Sequence, residues 1–161
     1  VYGRPLPVDE ARVIIAADGF ETDVAGRVLK FIDTPGHARH HFSVYDELSR
    51  GFFSGDTFGI SYRETDSAQG AFMLPTTTPV QFDPEAWHQS LDRYLTFKPE
   101  RMFLTHFSMV EGIPALAEAL RRALDDYAAM AREMQLRFYA RVTRYASGAF
   151  RRMKVGRALN A

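Results

Sequence analysis

Three short apolar runs in this chain each end on a residue able to bind a metal. Val28-Leu29-Lys30-Phe31-Ile32-Asp33 leads into Thr34-Pro35-Gly36-His37, Phe52-Phe53-Ser54-Gly55 into Asp56, and Arg101-Met102-Phe103-Leu104-Thr105 into His106. Apolar runs of this length read as strands. A fold that satisfies all three must bring three strand ends to one edge of a sheet. There His, Asp and His meet on a rigid support.

Composition narrows the chemistry. The 161 residues hold no cysteine, which excludes disulfides and thiolate ligands and leaves His, Asp and Glu to hold any metal. The length suits one domain, and an apolar share of 46% suits a packed core. No run is long and apolar enough to span a membrane and none reads as a signal peptide, so no membrane partner is expected and the cytoplasm is the expected compartment. The net charge of zero is unevenly spread: residues 1–131 carry 12 Lys/Arg and 19 Asp/Glu, and residues 132–161 carry 8 Lys/Arg and only Glu133. The tail reads as a basic helix docking on an acidic surface of the same protein, with Phe138, Tyr139, Tyr145 and Phe150 for packing, rather than as a nucleic-acid contact. The opening Val1-Tyr2-Gly3-Arg4-Pro5-Leu6-Pro7 reads as loop entered mid-protein, so the chain is expected to be a portion of something longer.

Along the chain, Arg12–Ala16 predicts a strand ended by Asp18-Gly19, Val24–Ile32 a second, and His41–Tyr45 a third that pairs with Gly51–Ser54 around a loop at 46–50. Residues 60–82 have no clear period and predict a long loop of functional use. Asp83-Pro84 starts a helix running to about Phe97, with Asp83 as N-cap. Arg101–Thr105 predicts a buried strand. Pro114 opens a long helix with Leu116, Leu120, Leu124 and Tyr127 on one face, continuing past Met134. The order β-β-β-β-loop-α-β-α predicts an α/β fold: a mixed sheet with helices on one face and no cover for the other.

His37 sits in a tight Thr-Pro-Gly-His turn that fixes its backbone. Asp56 follows 19 residues later (56 − 37) and His106 a further 50 (106 − 56). A carboxylate can bridge two cations and offset their repulsion, which imidazole cannot. Each residue alone reads as an ordinary turn or strand cap. Jointly they read as one site. His40 alternates away from His41 and is expected to be exposed, and His88, on the predicted helix, is expected to be structural.

Thr34-Pro35-Gly36-His37, Ser54-Gly55-Asp56 and Leu104-Thr105-His106 together resemble motifs of the metallo-β-lactamase-fold hydrolases, in particular a glyoxalase-II-like branch of that superfamily. The resemblance covers about residues 1–125 and extends to the turn at 34–41, Gly55–Gly59 and the Pro/Thr-rich stretch at 76–83. It implies an αββα sandwich with a binuclear metal centre between two sheets. By that likeness His37 completes the first metal site and His106 the second, while Asp56 bridges both and carries the catalytic role. Two divalent cations, zinc by default with iron or manganese as alternatives, would hold a bridging hydroxide as nucleophile toward a small-molecule ester or thioester. His41 and Thr105 would orient these groups. Tyr62, Phe72 and Phe107 would line the substrate cleft, Tyr62 as a donor to an oxyanion.

The family's upstream H-x-H-x-D-H motif is absent from these residues. One His per metal and a shared Asp fall short of the three protein ligands a catalytic site needs. The chain therefore reads as the C-terminal portion of the domain, with 132–161 its basic helical tail, and as catalytically silent alone. Its expected partner is the N-terminal half of the fold, another subunit, or a second copy. Two rival readings remain: an iron-dependent redox enzyme of the persulfide dioxygenase or diiron oxygen reductase type, and a non-catalytic half-domain that assembles with a partner.

Overall fold

The computed structural model describes residues 4, 6–68, 70–76, 81–106 and 108–158, with side chains described through 141. Six strands form one mixed sheet in sequential order: β1 (Glu21–Val24), β2 (Arg27–Asp33), β3 (Phe42–Asp46), β4 (Gly51–Phe53), β5 (Arg101–Phe103) and β6 (Met109–Val110). Helix α1 (Pro84–Thr96) crosses from β4 to β5, and α2 (Ile113–Ala158) follows β6. The expected α/β class and mixed sheet are those observed.

One expected strand is corrected. Arg12–Ala16 is not a strand: Glu10–Arg12 forms a 3-10 turn, and Ile14 and Ile15 lie 72% and 92% exposed. The stretch Val24–Ile32, expected to hold a Gly and a strand, contains Gly26 and most of β2; the preceding β1 was not expected and makes a hairpin with it, with Glu21 opposite Lys30 and Val24 opposite Arg27. Its two turn residues, Ala25 and Gly26, both have positive φ (56° and 83°), the geometry that matches a right-handed strand twist. β6, a two-residue edge strand, was not expected, and β5 ends at Phe103 rather than Thr105.

Register sorts the side chains onto two faces. Ile32, Ser43, Phe52, Met102 and Val110 point to one side, and all are buried. There α1 packs through Trp87, Ser90, Leu91 and Tyr94. The Phe52 ring meets Tyr94 edge-on at 4.9 Å and Phe97 at 5.2 Å. Asp83 Oδ1 accepts from Ala86 N at 3.0 Å and Pro84 occupies the first turn, so the helix starts as its sequence dictates. The first turns of α2 bury Ile113, Leu116, Ala117 and Leu120, and Arg121 binds Asp92 of α1 at 2.6 Å. The opposite face carries Phe31, Val44, Phe53, Phe103 and Met109 in one cross-strand row. Phe53 stacks on Phe103 at 4.9 Å and is 49% exposed, and Phe42 at the row's edge is 54% exposed.

Residues 1–121 and 122–161 form two compact units. In the second, Leu124 and Ala128 are buried, while Met130, Met134, Leu136, Phe138 and Tyr139 are exposed. Of the tail aromatics, the side chains of Tyr145 and Phe150 lie outside the described residues. No helix among the described residues is long and apolar enough to cross a membrane.

Asp46 ends β3 with its side chain fully buried, and accepts from Arg27 Nη2 at 2.6 Å, Arg27 Nε at 2.9 Å and Ser49. The Arg27 guanidinium lowers its pKa from 3.8 to about 2, against the opposing effect of burial. The folded-state value lies below the unfolded one, so the contribution is complete above about pH 4 and disappears as pH falls through about 2, a total of about 2 kcal/mol. Asp46→Asn should therefore lower the urea midpoint at pH 7, and the gap to the unmodified protein should close between pH 4 and 2. A gap that stays constant over that range would refute the ion-pair account.

Candidate metal centre

Strand direction assembles the site. β2 is antiparallel to β3 and β3 to β4, so β2 and β4 run the same way, and β5 runs parallel to β4. The carboxyl ends of β2, β4 and β5 therefore share one edge of the sheet, where ligands bind in open α/β sheets. The turns that leave those ends carry His37, Asp56 and His106.

The three meet as the sequence led us to expect. Asp56 Oδ2 lies 3.5 Å from His37 Nε2, and Asp56 Oδ1 lies 3.5 Å from His106 Nε2. Both separations exceed a good hydrogen bond. Asp56 Oδ1 is buried and has no hydrogen-bond partner among the described residues. An orphaned carboxylate oxygen facing imidazole nitrogens has the donor chemistry for a cation between each pair. Among the described residues no three His, Asp or Glu side chains form a complete metal cage. The donor set, two imidazoles and one carboxylate, suits a divalent cation in its chemistry but falls short of a full set of ligands.

The turns are locked from below. Thr57 Oγ1 donates to Thr34 O at 2.9 Å, tying the Asp56 turn to the His37 turn. Trp87 Nε1 donates to Thr57 O, Asp83 N to Gly36 O at 2.9 Å, and Ser90 Oγ to Pro35 O at 2.6 Å, so α1 clamps both. The His37 ring stands edge-on to Trp87 at 5.8 Å.

His41 holds Asp56 from the other side. The Asp56 amide donates to His41 Nε2 at 2.9 Å, which leaves the proton of the neutral ring on Nδ1. Nδ1 then donates to Thr34 Oγ1 at 3.0 Å, and the Thr34 and Ser43 hydroxyls share a hydrogen bond at 2.8 Å. The Ser43 and Tyr94 hydroxyls, 2.5 Å apart, both reach the Ser54 carbonyl. Burial, and secondarily the nearby His37, lower the His41 pKa and keep the ring neutral. Burial likewise raises the Tyr94 phenol to about 12. Both His41 nitrogens are spent on hydrogen bonds, so it orients the Asp56 turn without being a ligand.

The remaining expected residues sit further out. Thr105 is exposed beside His106. Tyr62 and Phe72 are 37% and 45% exposed on the segment after the Asp56 turn, and Phe107 lies outside the described residues. His40 is exposed, and His88 on α1 receives Arg121 at its carbonyl oxygen. A cavity of about 480 Å³ lined by Ile14, Phe31, Asp33, His40 and Phe42 includes none of the three candidate ligands. Sequence reasoning missed Thr76. Its Oγ1 lies 2.9 Å from both His37 Nδ1 and Asp56 O, placed there by a two-way bridge between Ile60 and Leu74. Its only sequence signal is its place in the Pro/Thr-rich stretch.

Gly55 has φ +53°, and a Cβ there would fall 2.3 Å from His41 Nε2. Gly55→Ala should cost about 1–3 kcal/mol of stability by urea unfolding. The cost should shrink in a His41→Ala background, where the obstructing ring is gone. Equal costs in both backgrounds would rule out the clash with His41.

Comparisons with known proteins bear on the family and the fold. The family model of the metallo-beta-lactamase superfamily matches residues 2–106. A metallo-beta-lactamase fold-containing protein of Sulfurisphaera tokodaii is 33% identical over 111 residues, which cover 68% of this chain and 39% of the relative. The chain thus spans well under half the length of that relative. The crystal structure of an archaeal metallo-beta-lactamase superfamily protein from Sulfolobus tokodaii superposes with a TM-score of 0.56 at 32% identity, over 69% of this chain and 39% of that one. A chemotaxis sensor captured as a peroxy diiron species superposes with a TM-score of 0.54 at 18% identity, over 71% of this chain and 53% of that one, a likeness of fold alone.

Proposed function

The chain belongs to the metallo-β-lactamase superfamily, and from that premise we propose that the protein carrying it is a metal-dependent hydrolase of ester- or thioester-like bonds in a small-molecule substrate. The observation that carries this reading is the buried, unbonded Asp56 Oδ1, with imidazole nitrogens 3.5 Å from each carboxylate oxygen. His37 and His106 would each hold one divalent cation, zinc in the first instance, and Asp56 would touch both. Two such cations supply Lewis acidity: they lower the pKa of a water and offset charge developing on a carbonyl oxygen.

The chain's own residues do the positioning. His41 grips the Asp56 amide, so the carboxylate is presented from a turn that cannot swing away. Trp87 packs beside His37 and keeps that ring 15% exposed, whereas His106 is 53% exposed and faces the open side. Tyr62 and Phe72, both partly exposed, are the residues proposed to meet substrate. The ligands that bring each cation to about three must come from outside the described residues. On this reading the 161 residues alone turn over no substrate.

The superfamily also holds iron redox enzymes, and metal content separates the two chemistries. The full-length protein should purify with about two zinc ions per chain and turn over members of a thioester and lactone panel. Asp56→Ala should lose both metals, and His37→Ala and His106→Ala one each. Activity should fall by more than the about 10–100-fold typical of a residue that only supports a ligand. A metal-free protein would refute the proposal. Iron together with oxygen uptake would replace hydrolysis with redox chemistry.

A further inference from the structure

Two contacts of 2.9 Å converge on one hydroxyl. Thr76 Oγ1 faces the Asp56 carbonyl oxygen, which can only accept, and His37 Nδ1, which accepts or donates according to tautomer. Each contact needs a hydrogen, and a hydroxyl has one. If Thr76 gave its hydrogen to His37, two oxygen lone pairs would face each other across 2.9 Å at Asp56 O. The satisfied arrangement sends the Thr76 hydrogen to Asp56 O and takes the second hydrogen from His37 Nδ1. A neutral His37 then has no hydrogen on Nε2. That bare nitrogen is the one 3.5 Å from the Asp56 carboxylate, too far to be serving as its donor.

We infer that Thr76 is a positioning residue which commits His37, before any metal arrives, to the tautomer with its Nε2 lone pair aimed at the site. Thr76 is 7% exposed, so water does not readily replace the hydroxyl. The Ile60–Leu74 bridge holds it in place, and Ile60 directly follows the Asp56–Gly59 turn. One side chain thereby fixes the ring of one candidate ligand and the backbone of the other. The value of this arrangement for metal binding rests on the hydrolase reading, whereas the tautomer itself does not.

The test uses ring-nitrogen NMR of the metal-free protein at pH 8, with His37→Gln to assign the signal. In the unmodified protein His37 should show a protonated Nδ1 and an unprotonated Nε2. Thr76→Ser should keep that pattern, and Thr76→Val should populate the tautomer protonated on Nε2. Amide signals remote from the site should stay unchanged in both variants, which separates loss of the hydroxyl from loss of the fold. An Nε2-protonated His37 in the unmodified protein overturns the inference, as does a Thr76→Val protein that keeps Nδ1 protonated. Zinc titration forms the second arm: Thr76→Val should weaken binding by about 10–100-fold and Thr76→Ser much less. If the unmodified full-length protein binds no zinc while the NMR pattern holds, the hydrolase reading fails and the assignment of Thr76 stands.

Discussion

Everything at the working edge of this sheet depends on a closed circuit of polar groups that water cannot reach. Thr34, Ser43, Ser54, Thr57, Ser90 and Tyr94 are all buried. Each must therefore find its partner in the protein, since a buried polar group left unpaired costs more than a normal hydrogen bond contributes. They do so by bonding to the carbonyls of the same turns that carry His37 and Asp56. The cost of breaking any one link keeps the turns from relaxing. A fully satisfied network of this kind specifies a single arrangement, where an apolar core would permit several.

Among the described residues two buried side-chain atoms have no hydrogen-bond partner, Ser61 Oγ and Asp56 Oδ1, and the second lies at the site. The circuit completes around both His41 nitrogens, the Asp56 amide and the Asp56 carbonyl, yet leaves Asp56 Oδ1 without a hydrogen bond. One of those two exceptions thus belongs to a carboxylate with an imidazole nitrogen 3.5 Å from each oxygen. The same circuit explains why three histidines close together take different parts. His41 is surrounded by partners, His37 has one nitrogen tied and one turned toward Asp56, and His106 stands on the open side.

Legibility in the sequence followed the range of the forces involved. Helix α1 was readable because its cap, its Pro84 and its apolar positions are all local. The triplet was readable because strand ends are local and three of them coincide. The first strand was misplaced because Val13, Ile14 and Ile15 have strand propensity but no strand to pair with, while the polar Glu21-Thr22-Asp23 makes a genuine edge strand. The hairpin turn was hidden because Ala25 stands where Asn or Gly would announce positive φ. Thr76 was unreadable for the opposite reason. Its role arises from a bridge that folds residue 74 back onto residue 60, and nothing in the surrounding run of Pro and Thr encodes that return.

The crossover between β4 and β5 sets the two contacts of Asp56 apart. β1 to β4 are neighbours in sequence and pair through short turns, so His37, His41 and Asp56 come together by local closure. His106 reaches them only after the parallel pairing of β4 with β5, which must close a loop of 47 residues (54 to 100) containing α1. Parallel pairing across such a span is slow compared with hairpin closure. The Asp56–His37 pair therefore rests on short-range closures, whereas the Asp56–His106 pair rests on one long-range closure. Loosening the β4–β5 pairing would therefore separate His106 from Asp56 while leaving the contact with His37 in place.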